Sequence, residues 1–110
     1  MRIASVILAA LLALLVIPPA DAADPTFTIV IRDHKFEPAR LEVPAGVKIQ
    51  LLVKNLDSTA EEFESKDLKR EKIIPGGKEA IITVGPLKAG TYRFVGEYHE
   101  DITKGELVAR

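Results

Sequence analysis

The chain has no cysteine and no tryptophan, one methionine, and only four phenylalanines and two tyrosines among its 110 residues. Without cysteine there is no disulfide, no thiolate nucleophile, and no sulfur through which a lipid could anchor an exported chain. An excess of either charge is missing too, since 15 Lys and Arg stand against 16 Asp and Glu for a formal charge of −1. Basic residues so balanced and scattered argue against a nucleic-acid binder. No nucleophile with a base partner and no glycine-rich phosphate loop occurs, which leaves hydrolases and nucleotide-binding proteins without support. No internal repeat or low-complexity tract appears. A chain of this length has room for one domain with a modest core. Lacking disulfides, it must draw stability from a well-packed sandwich, a bound metal, or both.

One long hydrophobic run is present, at the start. Met1-Arg2 is a short positive segment, Ile3 to Ile17 is apolar, and Ala20-Asp21-Ala22 offers small residues for cleavage before Ala23. This reads as an export signal over 1–22 followed by a domain over 23–110. The run is shorter than the roughly 20 residues that span a bilayer, and Pro18-Pro19 follows it directly. The expected location is therefore the periplasm, not the membrane interior.

Beyond residue 23 the apolar pattern has period two. Phe27, Ile29 and Ile31 alternate with smaller or polar neighbours, Leu41-Glu42-Val43 and Val47 to Val53 are β-prone, and Ala80, Ile82 and Val84 alternate again. Asp33 to Pro38 reads as a loop. Pro44-Ala45-Gly46, Pro75-Gly76-Gly77, Gly85-Pro86 and Lys88-Ala89-Gly90 punctuate the strands. Lys66 to Lys72, charged in both signs, reads as a short helix or irregular excursion: a solvated face or a docking surface. About seven short strands without a long helical period predict an all-β, antiparallel sandwich.

The richest stretch runs from Tyr92 to Val108. Two aromatic strand positions, Tyr92 and Phe94, lead into a polar turn with Glu97, His99, Glu100 and Asp101, and a final strand follows at Leu107-Val108. A second acidic group lies upstream in Glu61-Glu62-Phe63-Glu64. Strand alternation puts Glu61 on the inward face with Phe63 and turns Glu62 and Glu64 outward, whereas a one-residue slip exchanges Glu61 and Glu62. Carboxylates gathered at one end raise each other's pKa unless a cation, either a metal or a lysine, relieves them.

Two motifs in order, Phe36-x-Pro38-x-x-Leu41-x-Val43-Pro44-Ala45-Gly46 with a strand and Asn55 behind it, and the Tyr92 to Val108 hairpin, resemble the cupredoxins. That resemblance implies a Greek-key β-sandwich with a metal site at one end. In that family a histidine after the Asn, then a cysteine, a histidine and a methionine, bind copper. The corresponding positions here are Glu61, Gly96, His99 and the neighbourhood of Thr103, so a type 1 copper centre is excluded. What remains is a carboxylate and histidine set suited to iron, manganese or copper(II).

Glu61-Glu-Phe-Glu-Ser65, Leu68-Lys-Arg-Glu-Lys72 and Gly96-Glu-Tyr-His-Glu100 are similar to the EfeO-type cupredoxin-like proteins of bacterial periplasmic iron transport. The resemblance implies an iron or copper ion held by His99, Glu61, Glu62, Glu97 and His34, with Glu100 and Asp101 as surface charge. His34 either completes the site or caps a turn. The implied partners are an inner-membrane iron permease and a second periplasmic metal-binding protein, and the implied role is a binding protein, at most an accessory to ferrous iron oxidation. The rival expectation is a metal-free interaction module that has kept the sandwich and lost the site.

Overall fold

The structure, a computed structural model, describes residues 23–110; the expected export signal lies outside the described residues. Nine strands follow one another: β1 (Thr26–Arg32), β2 (Lys35–Glu37), β3 (Arg40–Val43), β4 (Ile49–Asn55), β5 (Glu61–Ser65), β6 (Arg70–Ile74), β7 (Glu79–Val84), β8 (Gly90–Gly96) and β9 (Lys104–Ala109). A single 3-10 turn, Glu97–His99, interrupts the last hairpin. The first sheet has the order β2-β1-β4-β7 and the second β3-β9-β8-β5-β6. The described residues thus form the expected all-β sandwich.

Two details differ from the sequence expectation. Strands number nine because Asp33-His34 is a two-residue hairpin turn between β1 and β2, and because the second half of the charged run, from Arg70, pairs with β5 as β6. The sheets are also mixed, with β1 parallel to β4 and β3 parallel to β9. Strand β3 crosses to the second sheet before β4 returns beside β1. The crossover that a parallel pair requires is therefore made by a strand of the other sheet, not a helix.

Strand alternation builds the core. Ile29 and Ile31, Leu51 and Val53, Phe63, Ile82 and Val84, Phe94 and Leu107 all face inward and are buried. Phe36, Phe63 and Phe94 form an aromatic trio: Phe63 and Phe94 are stacked at 5.1 Å between centroids, and Phe36 meets Phe94 edge-on at 4.8 Å. Aromatic pairs in such geometries add to the stabilisation from buried area. The inward row of β5 reads Glu61, Phe63, Ser65, so Phe63 anchors the core at mid-strand and Glu61 begins the row.

Asn55 ties the loops of that end together. Fully buried, it donates from Nδ2 to the carbonyls of Thr59 at 2.9 Å and Ile74 at 3.0 Å, and its Oδ1 accepts from the Asp57 amide at 3.1 Å. The β4–β5 loop is thereby fastened to the start of the β6–β7 turn.

Candidate metal centre

Glu61 has almost no contact with solvent, its side chain being 2 % exposed. A carboxylate so placed must be hydrogen-bonded or paired. Its Oε1 accepts from the amides of Glu62 at 3.0 Å and Tyr98 at 2.9 Å, and its Oε2 accepts from Nδ1 of His99 at 2.6 Å. Because a carboxylate oxygen only accepts, Nδ1 of His99 carries the proton of this bond. Oε1 is committed to backbone, while Oε2 keeps a lone pair free.

His34 reaches the same place from the β1–β2 hairpin. Asp33 and His34 both have positive φ, at 50° and 58°. A two-residue turn matching the strand twist demands this of both residues, and Asp and His tolerate it better than most. The Asp57 carboxylate holds the turn in that shape, accepting from the Asp33 amide at 2.8 Å and the His34 amide at 3.0 Å. The His34 amide is the main cause that keeps the Asp57 carboxyl below its ordinary pKa, against desolvation that pushes the other way. Thr103, fully buried, donates its hydroxyl to the His34 carbonyl.

So fixed, the His34 ring stacks on His99 with centroids 3.7 Å apart and planes 22° from parallel. Donor atoms of His34, Glu61 and His99 all lie within 4.8 Å of one another. The imidazoles are open to solvent, with side chains 37 % and 30 % exposed, whereas the carboxylate beneath them is not.

The single acidic end expected from the sequence is divided in two. Glu62 and Glu97 do not join His34 and His99; they gather with Glu64 as a second group, again within 4.8 Å of one another. Two local rules cause this. Alternation along β5 turns Glu62 and Glu64 away from the inward face of Glu61, and the 3-10 turn breaks the strand pattern that would have aimed Glu97 the same way as His99. Among the described residues none of the three is in a salt bridge. Contact with Glu97 pushes the Glu64 carboxyl up, and contact with Glu62 chiefly pushes Glu97 up. Glu100 and Asp101 are exposed.

Sequence reasoning passed over Asp57 and Thr103 as holders of His34. Asp57 sits two residues after Asn55 in a polar connection and carried no signal of its own. Thr103 was legible only as the place where a cupredoxin methionine would fall.

The donor set passes a chemical test for a metal. Two imidazoles and one carboxylate with open positions suit divalent first-row ions, iron and copper(II) among them. His34, His99 and Oε2 of Glu61 would hold such an ion. With the rings nearly parallel, their in-plane lone pairs do not converge, so one imidazole has to turn for both to bind. With no cysteine in the chain, a type 1 copper centre is absent.

The arrangement is that of a two-sheet β-sandwich carrying at one end a histidine and carboxylate cluster whose donor atoms have metal-ligand spacing. The sequence profile of the cupredoxin-like domain matches residues 5–109, and the chain belongs to that family. An uncharacterised protein of Rickettsia prowazekii (strain Madrid E) is 46 % identical over 80 residues, which are 73 % of this chain and 64 % of that protein. The chain thus spans under two thirds of that relative's length. Among solved structures, a copper binding protein in its apo form matches with a TM-score of 0.68 at 14 % identity over 77 % of this chain and 86 % of the other. Auracyanin A, a blue copper protein from Chloroflexus aurantiacus, matches at 0.66 and 17 % over 77 % of this chain and 98 % of the other. A mutant amicyanin matches at 0.63 and 18 % over 82 % and 87 %. At these identities the likeness establishes the fold.

Proposed function

We propose that this is a periplasmic metal-binding protein of the EfeO-type cupredoxin-like subgroup that assists iron uptake. It takes up ferrous or ferric ion at His34, Glu61 and His99 and passes it, with a second periplasmic metal-binding protein, to an inner-membrane permease. The observation that carries the reading is a buried carboxylate bonded to His99, with the His34 ring stacked on His99 and one donor atom of each of the three residues within 4.8 Å of the others. Copper-binding proteins of the same fold support a metal ion as the ligand, and the similarity of the Glu61 to Ser65 and Gly96 to Glu100 stretches to iron-transport cupredoxins supports iron as cargo.

Each residue has a distinct task. Glu61 supplies a carboxylate whose Oε1 is locked by two amides, so that Oε2 stays aimed at His99. His99 is oriented by that carboxylate, and His34 by the turn that Asp57 and Thr103 hold. Exposure of both rings lets an ion enter and leave without unfolding the sandwich. A copper ion bound there would supply one-electron chemistry for ferrous oxidation, and the electron would pass to a partner.

Radioactive iron uptake at limiting ferrous iron tests the proposal in cells lacking the gene and complemented with wild type, His99→Ala or Glu61→Ala. Wild type restores uptake and neither variant does. Equal restoration by all three would favour the metal-free interaction module. Recovery of the protein in the cytoplasmic fraction would contradict the periplasmic role.

A further inference from the structure

We propose that Gly96 determines which ions the site accepts: its missing side chain leaves the centre of the site to the Glu61 carboxylate, committing it to divalent and trivalent ions and against Cu(I). The inference rests on the reading of His34, Glu61 and His99 as a metal site, and adds to it a specificity-determining position that binds nothing itself.

Gly96 ends β8 with φ −89° and ψ 105°, an extended backbone that any residue adopts. Glycine is needed there for space. A Cβ at this position would stand 2.5 Å from Cγ2 of Thr103 and 2.7 Å from the carboxyl carbon of Glu61. Both fall well inside the ~3.5–4.0 Å at which carbon atoms pack.

Neither neighbour has room to retreat. The Glu61 carboxylate is held by the amides of Glu62 and Tyr98 and by His99. Thr103 is fully buried, its hydroxyl donates to His34 and its carbonyl accepts from the Gly96 amide at 2.8 Å. A side chain at position 96 therefore has to break the contacts that hold the Glu61 carboxylate against His99, those by which Thr103 holds His34, or both. Keeping the carboxylate there decides the ion, because a carboxylate with two imidazoles suits Fe(II), Fe(III) or Cu(II), whereas Cu(I) seeks thiolate or thioether sulfur.

A double-mutant cycle on Gly96→Ala, Glu61→Ala and the pair tests this with two readouts, the melting temperature without metal and the affinity for Cu(II). The melting temperature falls more when Gly96→Ala is made beside Glu61 than beside Ala, while the Thr103 contact is common to both backgrounds and cancels. Should Gly96→Ala fail to fold while the pair folds, that is the same coupling at its extreme. Gly96→Ala weakens Cu(II) binding by about 10- to 100-fold, as does Glu61→Ala, and the pair is no weaker than Glu61→Ala alone. On reduction in the presence of a Cu(I) chelator, wild type gives up its copper. Equal melting shifts in the two backgrounds, wild-type affinity in Gly96→Ala, or copper retained after reduction would each overturn the proposal. Wild type binding neither Cu(II) nor iron would remove the underlying metal reading as well, and the metal-free melting cycle separates that result from a failure of the Gly96–Glu61 coupling.

Discussion

Glu61 and Asp57 carry the two negative charges that organise the site, and they are held differently. Asp57 lies under the β1–β2 turn and is ionised at lower pH than an ordinary carboxyl, chiefly because the His34 amide donates to it. A depressed folded-state pKa contributes stability that is present above the unfolded value of about 3.9 and is lost as pH falls through the folded value. Asp57→Asn is therefore expected to cost about 1–2 kcal/mol at neutral pH, with the gap to wild type closing in acid, as read from denaturant unfolding against pH. The outer carboxylates have the opposite sign. Glu64 is raised chiefly by its contact with Glu97, and Glu97 chiefly by its contact with Glu62, so the folded state gains stability as the pH falls through their raised values. Glu97→Gln should raise the melting temperature at neutral pH, and the gain should fade on acidification. A gain that persists unchanged into acid would mean that repulsion in this group is not its source.

The elements explain what was legible beforehand and what was not. Alternation in β5 gave away the inward face of Glu61, because a strand with one buried side leaves a single register that hides Phe63. The β1–β2 hairpin stayed hidden because Asp33-His34 lacks the Asn-Gly or Asp-Gly signature by which such turns are read, and its positive φ values are secured by a carboxylate 24 residues away in sequence from Asp33. Strand β6 was masked by Arg70, Glu71 and Lys72, charges that suit an exposed edge as well as they suit a loop. The one-turn helix after β8 displaced Glu97 from the site, and nothing in the period-two pattern announced it. Asn55 shows how these elements cooperate, since it binds the carbonyls of Thr59 in the β4–β5 loop and Ile74 at the end of β6, and the amide of Asp57. Asn55→Ala leaves those groups unpaired and is expected to destabilise the protein by about 3 kcal/mol, at roughly 1–3 kcal/mol for each buried group. Metal affinity should fall with it, since Asp57 would no longer be held under His34. Unchanged stability would mean that water replaces the side chain at no cost.

At the scale of the molecule, two sheets pack around Phe36, Phe63 and Phe94, and the end of the sandwich carries a polar cluster outside that core. The fold was readable because period-two strands and turn residues agree along most of 23–110, with the β1–β2 turn, β6 and the 3-10 turn as exceptions. The site was readable by composition but not by arrangement, because grouping acids with a histidine in sequence does not say which face of a strand each will take. The account's central claim is that His34, Glu61 and His99, and not the outer glutamates, make one metal site. Calorimetric titration of the protein with Cu(II), and with Fe(II) under anaerobic conditions, tests it most directly across wild type, His34→Ala, Glu61→Ala, His99→Ala and Glu62→Gln/Glu97→Gln. The account predicts one ion per chain in wild type and in the outer-glutamate variant, with that binding weakened by about 10-fold or more in each of the three inner variants. Stoichiometric binding that survives the inner substitutions and disappears with Glu62 and Glu97 would contradict it.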